Sequence, residues 1–143
     1  MRITIAIVLL LALCIPTMAQ TTNLMGIPDM VGNWTGVLDT VTWQKNTAWM
    51  PNETVSYWPK SEEMLVITEQ KGNMFSGKIV PKLSPGSTEI VLGIIGPDNT
   101  TIDIVDEDSF YWGKMISPTK MELFYQEVDI EGMTVSAGTF EKM

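Results

Sequence analysis

Apolar and polar side chains alternate along most of this chain, and this alternation constrains the fold more than any other feature. From Val31 onward, short runs carry an apolar residue or glycine at every second position. Successive side chains of a β-strand point to opposite faces of the sheet, so each run predicts a strand with one apolar face. The predicted faces are Trp34, Gly36 and Leu38; Leu65 and Ile67; Phe75, Gly77 and Ile79; Ile90, Leu92 and Ile94; Ile102 and Ile104; Phe110, Trp112 and Ile116; Met121, Leu123 and Tyr125; and Met133, Val135 and Ala137.

Short polar segments separate these runs. Residues 71–73, 96–99, 106–109 and 117–120 are rich in Gly, Pro, Asn, Asp and Ser. Glycine supplies positive φ angles, proline presets φ, and short polar side chains bond their own backbone, so each segment predicts a tight turn. No stretch of ten or more residues has helical spacing. The chain therefore reads as an all-β domain over residues 31–143, an up-and-down antiparallel meander of eight strands.

Such a meander has two exposed edges unless it closes on itself. Eight strands form a closed barrel that is either filled by side chains or holds one small ligand. We therefore predict an eight-stranded β-barrel.

One predicted connection is much longer than the others. Residues 39–63 separate the first two strands and contain Trp43, Trp49, Tyr57 and Trp58. Long connections are often binding loops or lids, which predicts a ligand-contacting role for these aromatics. One alternative stays open, in which residues 40–43 prolong the first strand and the aromatics plug one barrel end.

The first 19 residues predict a secretory signal peptide. A positive start precedes the apolar stretch 3–13, and Thr17 and Ala19 fit the small-residue positions of a cleavage site. The apolar stretch is shorter than the roughly 20 residues that a spanning helix needs. We expect a protein secreted or held on the exterior of the cell envelope, without a membrane span after cleavage and with a flexible segment at 20–30. A retained N-terminal anchor is the alternative.

Residue usage beyond position 19 argues against several classes of function. Eight lysines stand against 17 acidic residues there, a net charge of −9, and such a surface repels nucleic acid. The chain has no histidine, and its single cysteine, Cys14, lies in the predicted signal peptide. Zinc and copper sites and Ser-His-Asp or Cys-His nucleophiles depend on these residues. We expect no disulfide, no metal, no cofactor and no catalytic residue of these kinds.

Three Asn-x-Thr sequons predict glycosylation in an exported protein. Asn52 and Asn99 lie in polar, turn-rich surroundings, whereas Asn33 precedes a tryptophan of the predicted core. A glycan must face solvent, so Asn52 and Asn99 are the better candidates and Asn33 is expected to be less accessible.

The segment Gly32-Asn33-Trp34, the eight-strand meander and the long first connection resemble the calycins, the superfamily of lipocalins and avidins. In those families a G-x-W motif begins the first strand and its tryptophan closes the barrel base, which implies a structural role for Trp34. Lipocalins pack an arginine over that tryptophan; this chain has none beyond the signal, and Lys142 is the nearest stand-in. Avidins bind biotin with a polar residue where this chain has Gly36. The resemblance implies an extracellular small-molecule binder or an inhibitor-like module.

These observations favour a secreted binding module with an apolar interior that takes a small apolar ligand or a glycan. The predicted contacts are Trp43, Trp49, Tyr57 and Trp58 in the long connection and Tyr125 on an inward face. Tyr125 is included because a buried phenol hydroxyl requires a partner, which a ligand or a backbone carbonyl can supply.

Two other functions stay open. A structural or adhesive surface protein would have a filled barrel, whereas an interior volume of about 300 Å3 or more favours binding. A carboxylate-dependent glycoside hydrolase would use a carboxylate pair such as Glu69 and Glu127 beside aromatic platforms.

An acidic hairpin, formed by Asp103, Asp106, Glu107 and Asp108, offers oxygens of the kind that calcium prefers. It lacks the regular spacing of a calcium loop, so a solvated turn that discourages edge pairing is expected.

Overall fold

The computed structural model describes residues 26–45, 54–81, 86, 88–130 and 132–143. Its strands are β1 (Gly32–Gln44), β2 (Thr54–Lys71), β3 (Met74–Pro81), β4 (Glu89–Ile95), β5 (Thr101–Val105), β6 (Ser109–Ser117), β7 (Lys120–Val128) and β8 (Gly132–Lys142). Each strand pairs antiparallel with the next, and β8 pairs with β1 to close the barrel. The predicted all-β, eight-stranded antiparallel barrel is confirmed. Over these residues, no helix is long and apolar enough to cross a membrane.

The barrel interior holds one apolar core, to which all eight strands contribute. The predicted apolar faces of β1, β2, β3, β5 and β7 point inward, as the alternation indicated. The largest fully buried side chains are Trp34, Phe140, Met30, Leu38, Leu65, Ile67, Ile95, Ile102, Ile104, Met121, Leu123 and Val91.

For β4, β6 and β8 the predicted apolar face is the outer one. Leu92 on β4 is 59% exposed, while its neighbours Val91 and Ile95 are buried. The ladder decides the face, because Gly93 of β4 pairs with the inward residue Ile104 of β5. The outward residues of these strands include Ile90, Leu92, Ile94, Phe110, Trp112, Ile116, Met133, Val135 and Ala137.

The connection between β1 and β2 is shorter than predicted. Residues 39–44 continue β1 and residues 54–63 belong to β2, so two long paired strands replace most of the predicted loop. An extra residue of β2 sits in a bulge opposite Asp39, where Lys60 adopts a φ of 60°. Residues 46–53, and with them Trp49 and Asn52, lie outside the described part of the chain.

The chain before β1 closes one end of the barrel, where β1 begins and β2 ends; we call it the closed end. Trp34 is fully buried, and its indole Nε1 donates to the Met30 carbonyl oxygen at 2.8 Å. Gln70 accepts from the Met30 amide at 2.7 Å and donates to the Pro28 carbonyl at 2.9 Å. These hydrogen bonds join residues 28–30 to the barrel, and the flexibility of segment 20–30 stays a prediction.

Lys142 lies over the same tryptophan. Its Nζ is 5.6 Å from the centroid of the Trp34 ring and 2.7 Å from the Asp29 carbonyl oxygen. Lys142 therefore covers the Trp34 ring and ties it to the segment before β1.

Candidate functional site

Inward-facing residues change from apolar to polar toward the opposite end of the barrel, which we call the open end. Along β2 the inward positions run from Ile67 and Leu65 to Glu63, and along β8 they run from Phe140 to Ser136. The polar set comprises Thr40, Ser61, Glu63, Glu89, Ser109, Tyr111, Tyr125, Glu127, Thr134 and Ser136. The predicted apolar interior is therefore found only in the closed half.

A cavity of about 330 Å3 lies in this polar half and is lined from seven of the eight strands. Its lining residues are Thr40, Trp58, Ser61, Glu62, Glu63, Ile79, Glu89, Tyr111, Tyr125, Thr134 and Ser136. Two of them, Trp58 and Ile79, are apolar, and Trp58 is 55% exposed, so its ring stands at the mouth. Strands hold most of the lining side chains in place, which makes the cavity a preformed one.

Hydrogen bonds among the cavity hydroxyls order the side chains. The hydroxyls of Thr40 and Ser136 are 2.7 Å apart, and the Tyr125 hydroxyl donates to Glu127 Oε2 at 2.8 Å. The rings of Tyr111 and Tyr125 pack with their centroids 4.7 Å apart. Burial and the hydrogen bond to Glu127 raise the pKa of Tyr125, so it stays a neutral phenol.

Glu63 is a cavity side chain whose burial is not fully balanced by hydrogen bonds. Its Oε2 atom is buried and has no hydrogen-bond partner among the described residues. Burial raises the pKa of Glu63 to about 7; a hydrogen bond from Tyr111 opposes this shift, and the charges of Glu89 and Asp106 add to it. Burial and the neighbouring acidic hairpin also raise the pKa of Glu89. The cavity thus concentrates negative potential.

The acidic hairpin borders the cavity, and its central carboxylate is used by the turn. Asp106 accepts from the Ser109 amide at 2.7 Å and from the Ser109 hydroxyl at 2.6 Å. Carboxylate oxygens of Glu89, Asp106 and Asp108 lie within 4.8 Å of one another, whereas Asp103 is on the exposed outer face of β5. The hydrogen bonds that Asp106 accepts from Ser109 stabilise the turn between β5 and β6, which gives this carboxylate a structural role.

The structure separates the predicted ligand contacts. Trp58 and Tyr125 line the same cavity. The bulge in β2 places Trp58 opposite Thr40 on the inner face, whereas Tyr57 pairs with Val41 on the outer face and is 74% exposed. Trp43 pairs with Val55 on that outer face, and Trp49 lies outside the described residues.

Sequence reasoning missed Glu63, Glu89 and Tyr111 as cavity residues. The signal that could have found Glu63 is its spacing of two from Leu65 and of four from Ile67, which places it on the same face. Nothing in the sequence alone aligns Glu63 with Glu89, because the register of β2 with β3 and of β3 with β4 brings them together.

The other predicted residues lie away from the cavity. Glu69 is exposed near the closed end, 2.9 Å from Lys71, so it does not meet Glu127 of the open half. Asn33 is exposed, contrary to expectation, because the alternation that buries Trp34 turns Asn33 outward. Asn99 sits in a turn with a φ of 57° and is half-buried.

Comparisons with known proteins give distant structural likenesses only. No protein-family model matches the chain, and no curated protein matches its sequence. The chain is similar to a redesigned β-barrel, at 13% identity and a TM-score of 0.45, over 80% of this chain and 91% of that one. It is also similar to EF1p2_mFAP2b bound to DFHBI, at 13% identity and a TM-score of 0.41, over 79% and 93% of the two chains. The S-type phycobiliprotein lyase CPES from Guillardia theta is similar at 12% identity and a TM-score of 0.32, over 80% and 88%. At these values the likenesses concern architecture alone.

Proposed function

We propose that this chain is an exported binding protein that holds one small molecule in the open-end cavity. One observation carries the proposal, namely a cavity of about 330 Å3 lined by side chains of seven strands. Sites for small molecules begin at about 300 Å3. A barrel with a purely structural or adhesive role would fill this space with side chains, so the volume favours binding.

Of the two ligand classes that the sequence predicted, a small apolar molecule and a glycan, the lining disfavours a wholly apolar one and favours a ligand with polar groups. Nine of the eleven lining residues carry a hydroxyl or carboxyl group. Such groups, held on paired strands, fix the orientation of a ligand, while Trp58 and Ile79 cover its apolar part. Export belongs to the proposal and follows from residues 1–19 of the sequence.

A fragment screen by ligand-observed NMR tests whether the cavity binds small molecules. Ser61→Trp places an indole in the cavity, and Thr119→Trp adds the same side chain to an exposed turn as the matched control. We expect fragments that bind the wild type and T119W to lose at least tenfold in affinity for S61W. Equal binding to all three proteins would place the ligand elsewhere. Absence of any bound fragment would count against a binding function.

A hydrolase is the second candidate, because one observation favours it. Glu63 and Glu89 share the cavity, and the pKa of Glu63 is about 7, in the range suited to a general acid. The assay is release of nitrophenol from a panel of nitrophenyl glycosides by the wild type and by Glu63→Gln. Turnover that disappears in E63Q would support hydrolysis, and a panel without turnover would count against it.

A further inference from the structure

We infer that the open-end cavity selects a small organic cation, an ammonium compound with a compact apolar body. The inference rests on the proposed binding function and names the ligand class for that site. Three features carry it: the charge of the lining, a buried carboxylate oxygen without a partner, and an aromatic ring at the mouth.

The lining carries acidic groups and no basic ones. Glu63 and Glu89 contribute carboxyl groups, and no lysine or arginine occurs among the lining residues of the described chain. Asp106 and Glu127 add negative charge next to the cavity. Low-dielectric walls lined by one sign of charge focus the field and raise the local concentration of the opposite charge. An anionic ligand would meet repulsion here, and a cation would meet attraction.

The buried oxygen of Glu63 supplies the anchor. Its Oε2 has no hydrogen-bond partner in the described structure and lies in a residue of the cavity lining. A buried carboxylate oxygen without a partner is costly, and an ammonium group brings three donors and a positive charge. Binding of an ammonium compound would therefore relieve an existing penalty, which a neutral molecule of the same shape relieves less.

The other lining groups favour an organic cation over a metal ion. Trp58, a half-exposed residue of the lining, supplies an indole of the kind that attracts cations, and the buried Ile79 supplies apolar contact. Calcium requires six to eight oxygens. The hydroxyls of Thr40 and Ser136 already bond each other, and a cavity of about 330 Å3 is far larger than a single ion.

The charge state of Glu63 makes the affinity pH-dependent. It faces Tyr111 of β6, Glu89 of β4 and Asp106 of the β5–β6 turn. The neighbouring strands β1 and β3 place no titratable group on the described inner face, and β7 contributes Tyr125 and Glu127 nearby. Burial raises the pKa of Glu63 to about 7, so a cation should bind more tightly at pH 8 than at pH 5.

Matched ligand pairs test the inference on the purified protein by isothermal titration calorimetry at pH 8. One pair is 3,3-dimethylbutan-1-amine, a primary ammonium compound at this pH, with the neutral 3,3-dimethylbutan-1-ol, and the other is 2-phenylethylamine with 2-phenylethanol. We expect at least one cation to bind tenfold or more tightly than its neutral partner. Glu63→Gln should reduce that preference at least fivefold, whereas Glu69→Gln, an exposed site near the closed end, should leave it unchanged.

The possible failures are distinguishable. If a neutral partner binds as tightly as its cation, or if E63Q keeps the full preference, the cation inference falls while the binding function stands. If neither cation binds with a dissociation constant below 10 mM but a fragment from the NMR screen does, the cation inference also falls and the binding function stands. If calcium chloride binds and displaces the amines at micromolar concentration, the site is a metal site and the inference is overturned. If nothing binds, the binding function falls as well.

Discussion

The two ends of the barrel are built from the same eight strands but differ in the polarity of their inward-facing side chains. At the closed end, Trp34, Met30 and Phe140 are fully buried, and Gln70 satisfies the backbone of the segment that covers them. At the open end, the inward positions are polar, and Glu63 keeps a buried oxygen without a partner. Stabilising contacts concentrate at the closed end, and buried polar groups without full hydrogen bonding lie at the open end. This distribution is expected of a scaffold that carries a binding site at one end.

The polar side chains of the open half are therefore not explained by stability. An apolar residue at position 63 would continue the pattern of Leu65 and Ile67 and bury more apolar surface. Strained or under-compensated groups in otherwise consistent proteins are often found at functional sites. Four predictions test this difference between the two ends.

The largest effect is expected for the tryptophan of the closed end. Trp34→Ala removes a fully buried indole and leaves a cavity, so the free energy of unfolding should fall by about 3–5 kcal/mol. Trp58→Ala, at the mouth of the open end, should change it by less than about 1 kcal/mol because Trp58 is more than half exposed. Urea unfolding followed by circular dichroism measures both. Equal losses would remove the contrast between the ends.

The next largest effect is a gain in stability, expected when the carboxyl group of Glu63 is removed. The pKa of Glu63 is about 7 in the folded protein, above its ordinary value of 4.5. A carboxyl whose pKa is raised by folding destabilises the folded state as pH rises from 4.5 to 7, and the penalty is complete above pH 7. At 1.36 kcal/mol per pKa unit the penalty is of the order of 3 kcal/mol.

Glu63→Gln should therefore stabilise the protein by roughly 2–3 kcal/mol at pH 8 and have little effect at pH 4. Urea unfolding at the two pH values measures the difference, with Glu69→Gln as an exposed control expected to stay within about 0.5 kcal/mol. A destabilised E63Q at pH 8 would show that the carboxylate is stabilised by the fold and would contradict the contrast.

A smaller loss is expected where Gln70 ties the covering segment to the barrel. Gln70→Ala leaves the Met30 amide and the Pro28 carbonyl without their partner, which should cost about 1–2 kcal/mol. Hydrogen exchange at the Met30 amide should accelerate together with the loss of stability. Gln126→Ala, a half-exposed position on β7, is the control. Unchanged protection of Met30 would mean that the segment is held by other contacts.

The smallest effect is expected for the lysine over Trp34. Lys142→Met keeps the length of the side chain and removes the charge, so it should cost less than about 1 kcal/mol. The ion pair with Asp29 adds little, since the Asp29 side chain is largely exposed. A loss above 2 kcal/mol would show that the closed end depends on this charge as well as on packing.

Much of the fold could be predicted from the residues. The period of two and the turn segments gave eight antiparallel strands, and the inward faces of β1, β2, β3, β5 and β7 followed from their apolar positions. Those five strands have one face that is clearly more apolar than the other, so the core face was visible without a partner strand. The same alternation placed Tyr125 on the inner face.

The faces of β4, β6 and β8 could not be chosen in this way. Both faces of β4 are apolar, with Val91 and Ile95 on one and Leu92 and Ile94 on the other. A shift of one residue in register exchanges the two faces of a strand, so only pairing with neighbours of fixed orientation decides between them. In β8 the inward Ser136 is more polar than the outward Val135, which reversed the prediction.

The residues alone were enough to predict that the chain forms strands, where most of them turn, and that Trp34 belongs to the core, because these properties depend on neighbours along the chain. The folded barrel was needed to bring Glu63, Glu89 and Tyr125 into one cavity while Tyr57 and Trp43 face away. The reason is that closure of the barrel and the bulge in β2 fix the relative positions of residues far apart in sequence. Such long-range register is a property of the paired sheet and of no single strand.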